Sequence, residues 1–204
     1  MRNRWLQRMD ITGVLAIGLM VSTAYAEEFK CEGPFARDSD HQRLVSVFGP
    51  RNVVKSVVYE ESEPMSASTV FPKDPPRSVE VVWWNEKSRK QPASVQTSGR
   101  NWVGPKGIRV GMTLDEVEAL NGRPFTLYGF GWDFGGTSSD WKGGELSAVP
   151  GGCSLFVIFS LDETTSEDAQ IRVSSDSEFA SNQSEMKAVR PKVARIGLAF
   201  PQKQ

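Results

Sequence analysis

The side chains best suited to chemistry lie between residues 129 and 141, in the stretch GFGWDFGGTSSDW. Asp133 and Asp140 flank a glycine-rich turn, and tryptophans stand near both ends. Paired carboxylates on opposite sides of a sugar are the machinery of glycoside hydrolases, which hold them about 5 to 10 Å apart. A hairpin would bring this pair together, so one hypothesis is a hydrolase of envelope polymers that uses Asp133 and Asp140.

Two other interpretations of this stretch need no catalysis. Aromatic rings stack on carbohydrates and anchor protein interfaces, which predicts a recognition surface. Its candidate binding residues are Trp132, Asp133, Asp140 and Trp141. Alternatively, the stretch is a structural β-hairpin in which Phe130, Trp132 and Phe134 pack on one face and Gly135-Gly136 bends the chain. The sequence leaves all three interpretations open.

Elsewhere the sequence is poor in catalytic signals. His41 is the single histidine of the chain, so no histidine-based metal cluster or two-histidine relay can form. We expect it to be solvent-exposed on the first turn of a short helix. The chain contains no GxSxG, GxGxxG or phosphate-loop motif. The sequence therefore favours a non-enzymatic protein with no catalytic residues, no metal and no cofactor.

The first 26 residues have the pattern of a secretory signal peptide. Arg2, Arg4 and Arg8 precede an apolar run from Ile11 to about Val21, and Ala24-Tyr25-Ala26 supplies a small-residue cleavage site. The run is shorter than the roughly 20 apolar residues of a permanent membrane span. We expect a mature chain from Glu27 that is periplasmic or secreted, without stable membrane insertion after signal cleavage.

The charge balance of this mature chain bears on its partners. Removing residues 1–26 takes away three arginines and Asp10, so the 24 basic and 25 acidic residues become 21 and 24, a net charge of −3. A nucleic-acid partner demands a strongly basic face. We therefore expect no nucleic acid and instead a protein or an envelope component as the partner.

The two cysteines, Cys31 and Cys153, are the only ones in the chain. Export would place both in an oxidising compartment, where disulfides form and persist. We predict a Cys31–Cys153 disulfide that ties the N-terminal segment to the second half of the chain. Two separate thiols remain the alternative, because the sequence does not give the geometry that a disulfide requires.

A short helix is delimited unusually well by GMTLDEVEALNGRP, residues 111–124. Thr113 and Glu116 have the spacing of a capping box, in which each side chain satisfies the other residue's backbone N–H. Leu114, Val117 and Leu120 recur at helical spacing. Gly122 supplies the left-handed conformation that ends a helix, and a proline follows it. So short a helix is stable only when its apolar stripe packs on other elements.

The same plan recurs 73 residues earlier. Gly49 aligns with Gly122 and Asp40 with Thr113, and the apolar run 79–84 falls on 152–157. Each half then reads as a helix followed by three strands. The predicted strands are 52–60, 79–84 and 93–98 in the first half and 125–134, 152–157 and 170–175 in the second, with 62–78 as a loop. This spacing predicts an internal duplication, although chance recurrence of common elements is an alternative.

The resulting organisation has five parts: a signal peptide (1–26), a first α+β half (27–99), a hinge (100–110), a second α+β half (111–180) and a C-terminal segment (181–204). In the last part, 184–189 reads as a helical turn, and alternating Ile196, Leu198 and Phe200 predict a final strand. The predicted fold class is α+β, with two similar halves that each pack a short helix on antiparallel strands of one sheet system.

The run IRVGMTLDEVEALNGRP resembles the signature of small exported bacterial domains in which one helix packs on an antiparallel sheet. That family includes the small lipoprotein of the outer-membrane β-barrel assembly machinery, and its tandem form is similar to β-lactamase inhibitory protein. The resemblance covers about fourteen residues of the second half and implies a helix-on-sheet fold and, by analogy, a binding or scaffold function. The chain departs from the lipoprotein pattern because Cys31 follows Glu-Phe-Lys rather than small residues. The resemblance transfers no contact residues.

Overall fold

The computed structural model describes residues 27–60 and 62–202. The predicted signal peptide, residues 1–26, lies outside them. The four α-helices of the described chain are α1 (His41–Phe48), α2 (Leu114–Asn121), α3 (Glu167–Val173) and α4 (Ser184–Val189). Its strands are β1 (Glu27–Glu28), β2 (Val53–Glu60), β3 (Glu63–Val70), β4 (Val79–Asn85), β5 (Lys90–Thr97), β6 (Trp102–Val103), β7 (Thr126–Tyr128), β8 (Ser138–Asp140), β9 (Ser154–Ser160), β10 (Glu178–Ala180) and β11 (Lys192–Ala199). The fold is α+β, as predicted.

The predicted caps delimit both of the eight-residue helices. The Thr113 hydroxyl accepts the Glu116 backbone N–H, and the Glu116 carboxylate accepts that of Thr113. Gly122 ends α2 with φ of 73°. Asp40 caps α1 by accepting the backbone N–H of Arg43 at 2.8 Å. These bonds satisfy backbone groups that a helix end leaves unpaired.

Six antiparallel strands form the main sheet in the order β2-β3-β4-β5-β11-β9. The final strand, β11, lies between β5 and β9 and pairs with both. Ile196 and Leu198 on this strand are fully buried, which agrees with their predicted alternation. The two halves of the chain therefore meet at the seam between β5 and β11.

A second, three-stranded sheet has the order β10-β7-β8. It joins the edge of the main sheet through a bridge between Thr137 and Ile158 and through the Phe159 N–H, which donates to the Gly136 carbonyl at 2.9 Å. When the two sheets are taken together across this bridge, both halves have the same strand order. Moving away from the seam, the strands follow in reverse chain order, β5-β4-β3-β2 on one side and β11-β9-β8-β7 on the other.

One apolar core unites the two halves. It includes Leu44 of α1, Leu114 and Val117 of α2, and Trp83 and Val157 of the main sheet. All five of these side chains are at most 2% exposed. The predicted apolar stripe of α2 thus covers the sheet, and burial supplies the stability that eight residues of helix lack on their own.

Three predicted segments differ from the structure. The predicted loop 62–78 contains β3, which pairs with β2 on one side and β4 on the other. The predicted strand 170–175 falls largely within α3, and only Val173 of that helix is buried. The predicted strand 125–134 is ordered as a strand only over β7, because the glycines that follow turn the chain away. The prediction of α4 is confirmed.

The predicted hinge, residues 100–110, contributes two side chains to the core. Trp102 and Ile108 are 2% and 0% exposed, respectively. The indole Nε1 of Trp102 donates to the Arg77 carbonyl at 2.9 Å. Strand β6 in this segment pairs in parallel with β1 at the start of the described chain. The segment therefore contributes two large side chains to the core, while Lys106 and Arg109 remain exposed.

The spacing of 73 residues holds for element boundaries. Adding 73 to α1, residues 41–48, gives 114–121, the bounds of α2, and adding it to the start of β2 gives the start of β7. The last strand, β11, follows only after α3, β10 and α4. An internal duplication stays a prediction, because equal spacing of elements describes the structure and does not show that the two halves share an evolutionary origin.

Candidate functional site

The stretch singled out for chemistry contains an exposed loop, residues 129–137, which we call the aromatic loop. It connects β7 to β8 and is anchored by Phe130, a core residue that is 8% exposed. The Phe130 N–H donates to the Val173 carbonyl at 2.8 Å, at the end of α3. At the other side, the Gly136 N–H donates to the Tyr128 carbonyl at 3.1 Å. Backbone hydrogen bonds therefore hold the loop at both of its ends.

Two large aromatic side chains project from this loop into solvent. Trp132 is 63% exposed and Phe134 is 64% exposed. The ring of Phe134 lies 6.3 Å from that of half-buried Tyr128. Ile171, on the neighbouring helix α3, is also 63% exposed. The expectation that Phe130, Trp132 and Phe134 pack together on one face is wrong, since only Phe130 is buried.

The backbone of the aromatic loop is tightly turned. The Gly135 N–H donates to the Trp132 carbonyl and the Thr137 N–H to the Phe134 carbonyl, both at 2.9 Å. Phe134 itself has φ of 60°, a left-handed conformation that costs a residue with a side chain about 1 to 2 kcal/mol. A bulky aromatic residue in this region is a strained placement of the kind that clusters at functional sites.

The two carboxylates occupy different surroundings. Asp133 lies exposed between the two projecting aromatic residues. Asp140, at the end of β8, accepts the Lys142 backbone N–H at 2.7 Å and pairs with its ammonium group at 3.0 Å. These hydrogen bonds, the backbone one first, lower the pKa of Asp140. A glycosidase needs one carboxyl with a raised pKa as its general acid, and Asp140 has the opposite shift.

Trp141 is a core residue and cannot present its ring to a ligand. It is 8% exposed, its Nε1 donates to the Leu155 carbonyl at 2.8 Å, and its ring centroid lies 4.9 Å from that of Phe125. The candidate binding set thus loses Trp141. It gains Phe134, whose only signal in the sequence is its place next to Gly135-Gly136, where a turning backbone exposes side chains.

Cys31 and Cys153 form a disulfide with 6.2 Å between their Cα atoms, as predicted. The bond links positions 122 residues apart, and it is consistent with an oxidising compartment. No described helix is long and apolar enough to cross a bilayer. Among the described residues, no three histidine, cysteine, aspartate or glutamate side chains are grouped as metal ligands.

A groove of about 480 Å³ lies beside the disulfide-linked N-terminal segment. Its apolar lining comes from Phe29, Val103, Pro105, Val149 and Pro150. The two lysines at its rim are already paired, Lys30 with Glu28 at 2.6 Å and Lys106 with Glu145 at 2.9 Å. The groove is separate from the aromatic loop, and none of the predicted site residues lines it.

Comparison with known proteins gives little further information. No protein-family model matches the chain, and no curated protein matches it. Among solved structures, the chain is similar to the crystal structure of the uncharacterized protein YfeY from Escherichia coli, with 10% sequence identity. The match covers 85% of this chain and 98% of that chain, with a TM-score of 0.45. A likeness of this size carries no argument about function.

Proposed function

We propose that this chain is an exported, non-enzymatic binding or scaffold protein of the bacterial cell envelope. Its partner, a protein or another envelope component, binds at the aromatic loop through Trp132 and Phe134. No nucleic acid is involved, and the mature protein is periplasmic or secreted.

The observation that carries this proposal is the exposure of two aromatic side chains on a loop that is hydrogen-bonded at both ends. Large aromatic residues dominate the binding energy of protein interfaces, and their rings also stack on sugars. A loop fixed before binding loses little conformational freedom when a partner arrives, so more of the contact energy appears as affinity. Trp132 and Phe134 are therefore suited to be the energetic centre of an interface.

The export part of the proposal has separate support. The N-terminal 26 residues have a charged start, an apolar run and a small-residue cleavage site. The Cys31–Cys153 disulfide fits the oxidising compartment to which such a peptide directs a protein. The proposal is non-enzymatic because hydrogen bonds from Lys142 lower the pKa of Asp140, the opposite of what a general acid needs.

Site-specific photo-crosslinking tests the proposal in bacterial cells that export the full chain. A photoreactive phenylalanine analogue replaces Trp132 in one variant and Tyr59 in a matched control. Tyr59 is 75% exposed and lies on β2, in the other half of the chain. We expect a discrete covalent adduct from position 132 and none from position 59. Digestion of the adduct with protease or with glycosidase then identifies a protein or a glycan partner.

A second variant connects the adduct to the loop chemistry. Phe134→Ala, combined with the photoreactive residue at 132, should reduce the adduct strongly because one of the two aromatic anchors is gone. Adducts of equal yield from positions 132 and 59, or no adduct from position 132, would refute binding at the aromatic loop.

A further inference from the structure

Besides the apolar groove, the molecule has a concave region that is lined mainly by charged side chains. It lies far from the aromatic loop in the sequence. It is a pocket of about 350 Å³ between the start of α1, strand β2 and the turn that joins β4 to β5. The charged and titratable groups in its lining are Asp40, His41, Lys55, Lys87, Arg89 and Lys90. Four of these six side chains are permanent cations at neutral pH.

Among the residues that the structure describes, these four cations have no acidic partner. The ion pairs of the described residues involve none of them. Asp40 is the one acid in the lining, and one of its carboxylate oxygens accepts the Arg43 N–H as the cap of α1. Four unpaired positive charges around one concavity are unexpected in a mature chain whose net charge is −3, because solvated charges of a folded surface are usually interspersed in sign.

The walls of the pocket are fixed by hydrogen bonds between its elements. The Arg89 carbonyl accepts the His41 N–H at 3.0 Å, and the Ser39 carbonyl accepts the Gln91 N–H at 2.9 Å. The guanidinium Nε of Arg89 donates to the Ala67 carbonyl at 3.2 Å. The β4–β5 turn is therefore tied to the start of α1, and its cationic side chains extend from a rigid base.

His41 adds a neutral donor to this pocket. Its Nδ1 lies 2.8 Å from the hydroxyl of Ser68, which is fully buried and already accepts the Trp83 indole N–H at 2.9 Å. Burial, Lys55 and Arg89 lower the pKa of His41, which favours the neutral ring. Since the buried Ser68 oxygen already accepts from Trp83, its own O–H is satisfied by the tautomer in which Nδ1 is the acceptor. The proton of the neutral ring then resides on Nε2, which has no partner among the described residues.

We propose that this pocket binds a phosphate group, carried either by a soluble phosphorylated compound or by the headgroup of a lipid. A phosphate monoester carries a charge of about −1.5 to −2 at pH 7 and offers three strong acceptor oxygens. A carboxylate carries a single charge on two oxygens. It would leave most of the four cations and the imidazole N–H without a partner, whereas a phosphate group offers more charge and more acceptors. The site is independent of the aromatic loop, so either proposal can fail without the other.

Titration of the mature protein with inorganic pyrophosphate tests the proposal. His41 is the single histidine, so its imidazole proton resonances report occupancy of the pocket without further assignment, and calorimetry supplies the affinity. We expect saturable shifts of those resonances with the same Kd as the calorimetric one. The affinity should fall as salt concentration rises, since the contacts are ionic.

A pair of matched double variants separates specific binding from general charge. Lys87→Gln with Lys90→Gln removes two cations from the pocket, whereas Lys73→Gln with Lys106→Gln removes two exposed lysines elsewhere. Losing two charge-assisted contacts should weaken pyrophosphate binding at least about tenfold. The control pair should retain the wild-type Kd and the wild-type shifts of His41.

Vesicles distinguish the two sources of phosphate. Vesicles of phosphatidylcholine containing phosphatidic acid present a monoester headgroup, and pure phosphatidylcholine vesicles are the blank. Binding of pyrophosphate or of phosphatidic acid that is lost in the Lys87/Lys90 variant supports the site and identifies the source. The proposal is overturned if the wild type binds neither probe, or if the Lys87/Lys90 variant binds as tightly as the Lys73/Lys106 control.

Discussion

At the scale of single residues, Phe130 and Phe134 show how position decides the role of identical side chains. Phe130 is buried and anchors the aromatic loop, whereas Phe134 is exposed and has a left-handed backbone. Burial makes the first a contributor to stability. Exposure at a strained position makes the second costly for stability and leaves its ring accessible for the partner contact that we propose.

Replacing Phe134 should therefore separate binding from stability. Phe134→Gly relieves the backbone strain at φ of 60°. It also removes the contact with Tyr128 and raises the conformational entropy of the unfolded chain, and the stabilising and destabilising effects are of similar size. We expect the free energy of unfolding in a urea titration to change by less than about 1 kcal/mol. Phe130→Ala is the contrast, with an expected loss of about 3 kcal/mol or more. Equal losses from both variants would contradict the assigned roles.

His41 is half-buried and hydrogen-bonded to Ser68 rather than fully solvated, which corrects the expectation from its place on a first helical turn. Burial first, then the charges of Lys55 and Arg89, lower its pKa, while Asp40 raises it less. The unfolded chain consequently binds the histidine proton at a higher pH than the folded chain does. The stabilisation is complete above the ordinary pKa of about 6.5 and is lost as pH falls through the lowered pKa.

Acidification should therefore lower the free energy of unfolding more in the wild type than in His41→Asn. Urea titrations between about pH 7.5 and about pH 5 cover the window below the ordinary histidine pKa. Glu80, whose pKa is raised by burial, contributes the opposite slope, because its stabilisation is lost as pH rises. Glu80 is present in both proteins, so the difference between them isolates His41. Parallel curves would show that His41 titrates normally.

At the scale of elements, neighbouring residues are enough to predict the helix α2 but not the strand β3. Caps and an apolar stripe act within a few residues of one another, so the sequence alone delimits α2. The segment of β3 is polar and contains Pro64, and it forms a strand because β2 and β4 lie on either side to pair with it. The composition of this segment does not predict a strand, because pairing with its neighbours outweighs intrinsic strand preference.

The capping box of α2 should account for a measurable part of the stability. Thr113→Ala removes the hydroxyl that accepts the Glu116 N–H at 3.3 Å, and the expected loss is about 1 kcal/mol in the free energy of unfolding. Thr113→Ser retains a hydroxyl in the same place and should lose much less. Indistinguishable alanine and serine variants would show that the cap adds nothing beyond packing of Leu114 and Val117.

At the scale of the whole molecule, long-range connections hold the halves together. Strand β11, near the end of the chain, completes the sheet between β5 and β9. The Cys31–Cys153 disulfide fixes the beginning of the described chain to the segment before β9. Both connections join positions far apart in sequence. Only the disulfide persists when the chain unfolds, and it therefore restricts the unfolded chain strongly.

Removing the disulfide should destabilise the mature protein substantially. Closing a loop of 122 residues contributes up to about 4 to 5 kcal/mol in the chain-entropy model. We expect Cys31→Ser with Cys153→Ser to lower the free energy of unfolding in urea by about 2 to 5 kcal/mol. Wild-type protein kept reduced should match the variant. An unchanged midpoint after reduction would mean that the bond restricts little in the unfolded state.

By itself, the sequence determined the features that depend on neighbouring residues or on residue type. These are the α+β class, the bounds of α1 and α2, and the last strand. Only the tertiary structure decided which side chains reach solvent. It buried Trp141 beside Phe125, exposed Phe134, and brought Lys55 beside Lys87 and Arg89, because burial and proximity depend on contacts between residues distant in the chain.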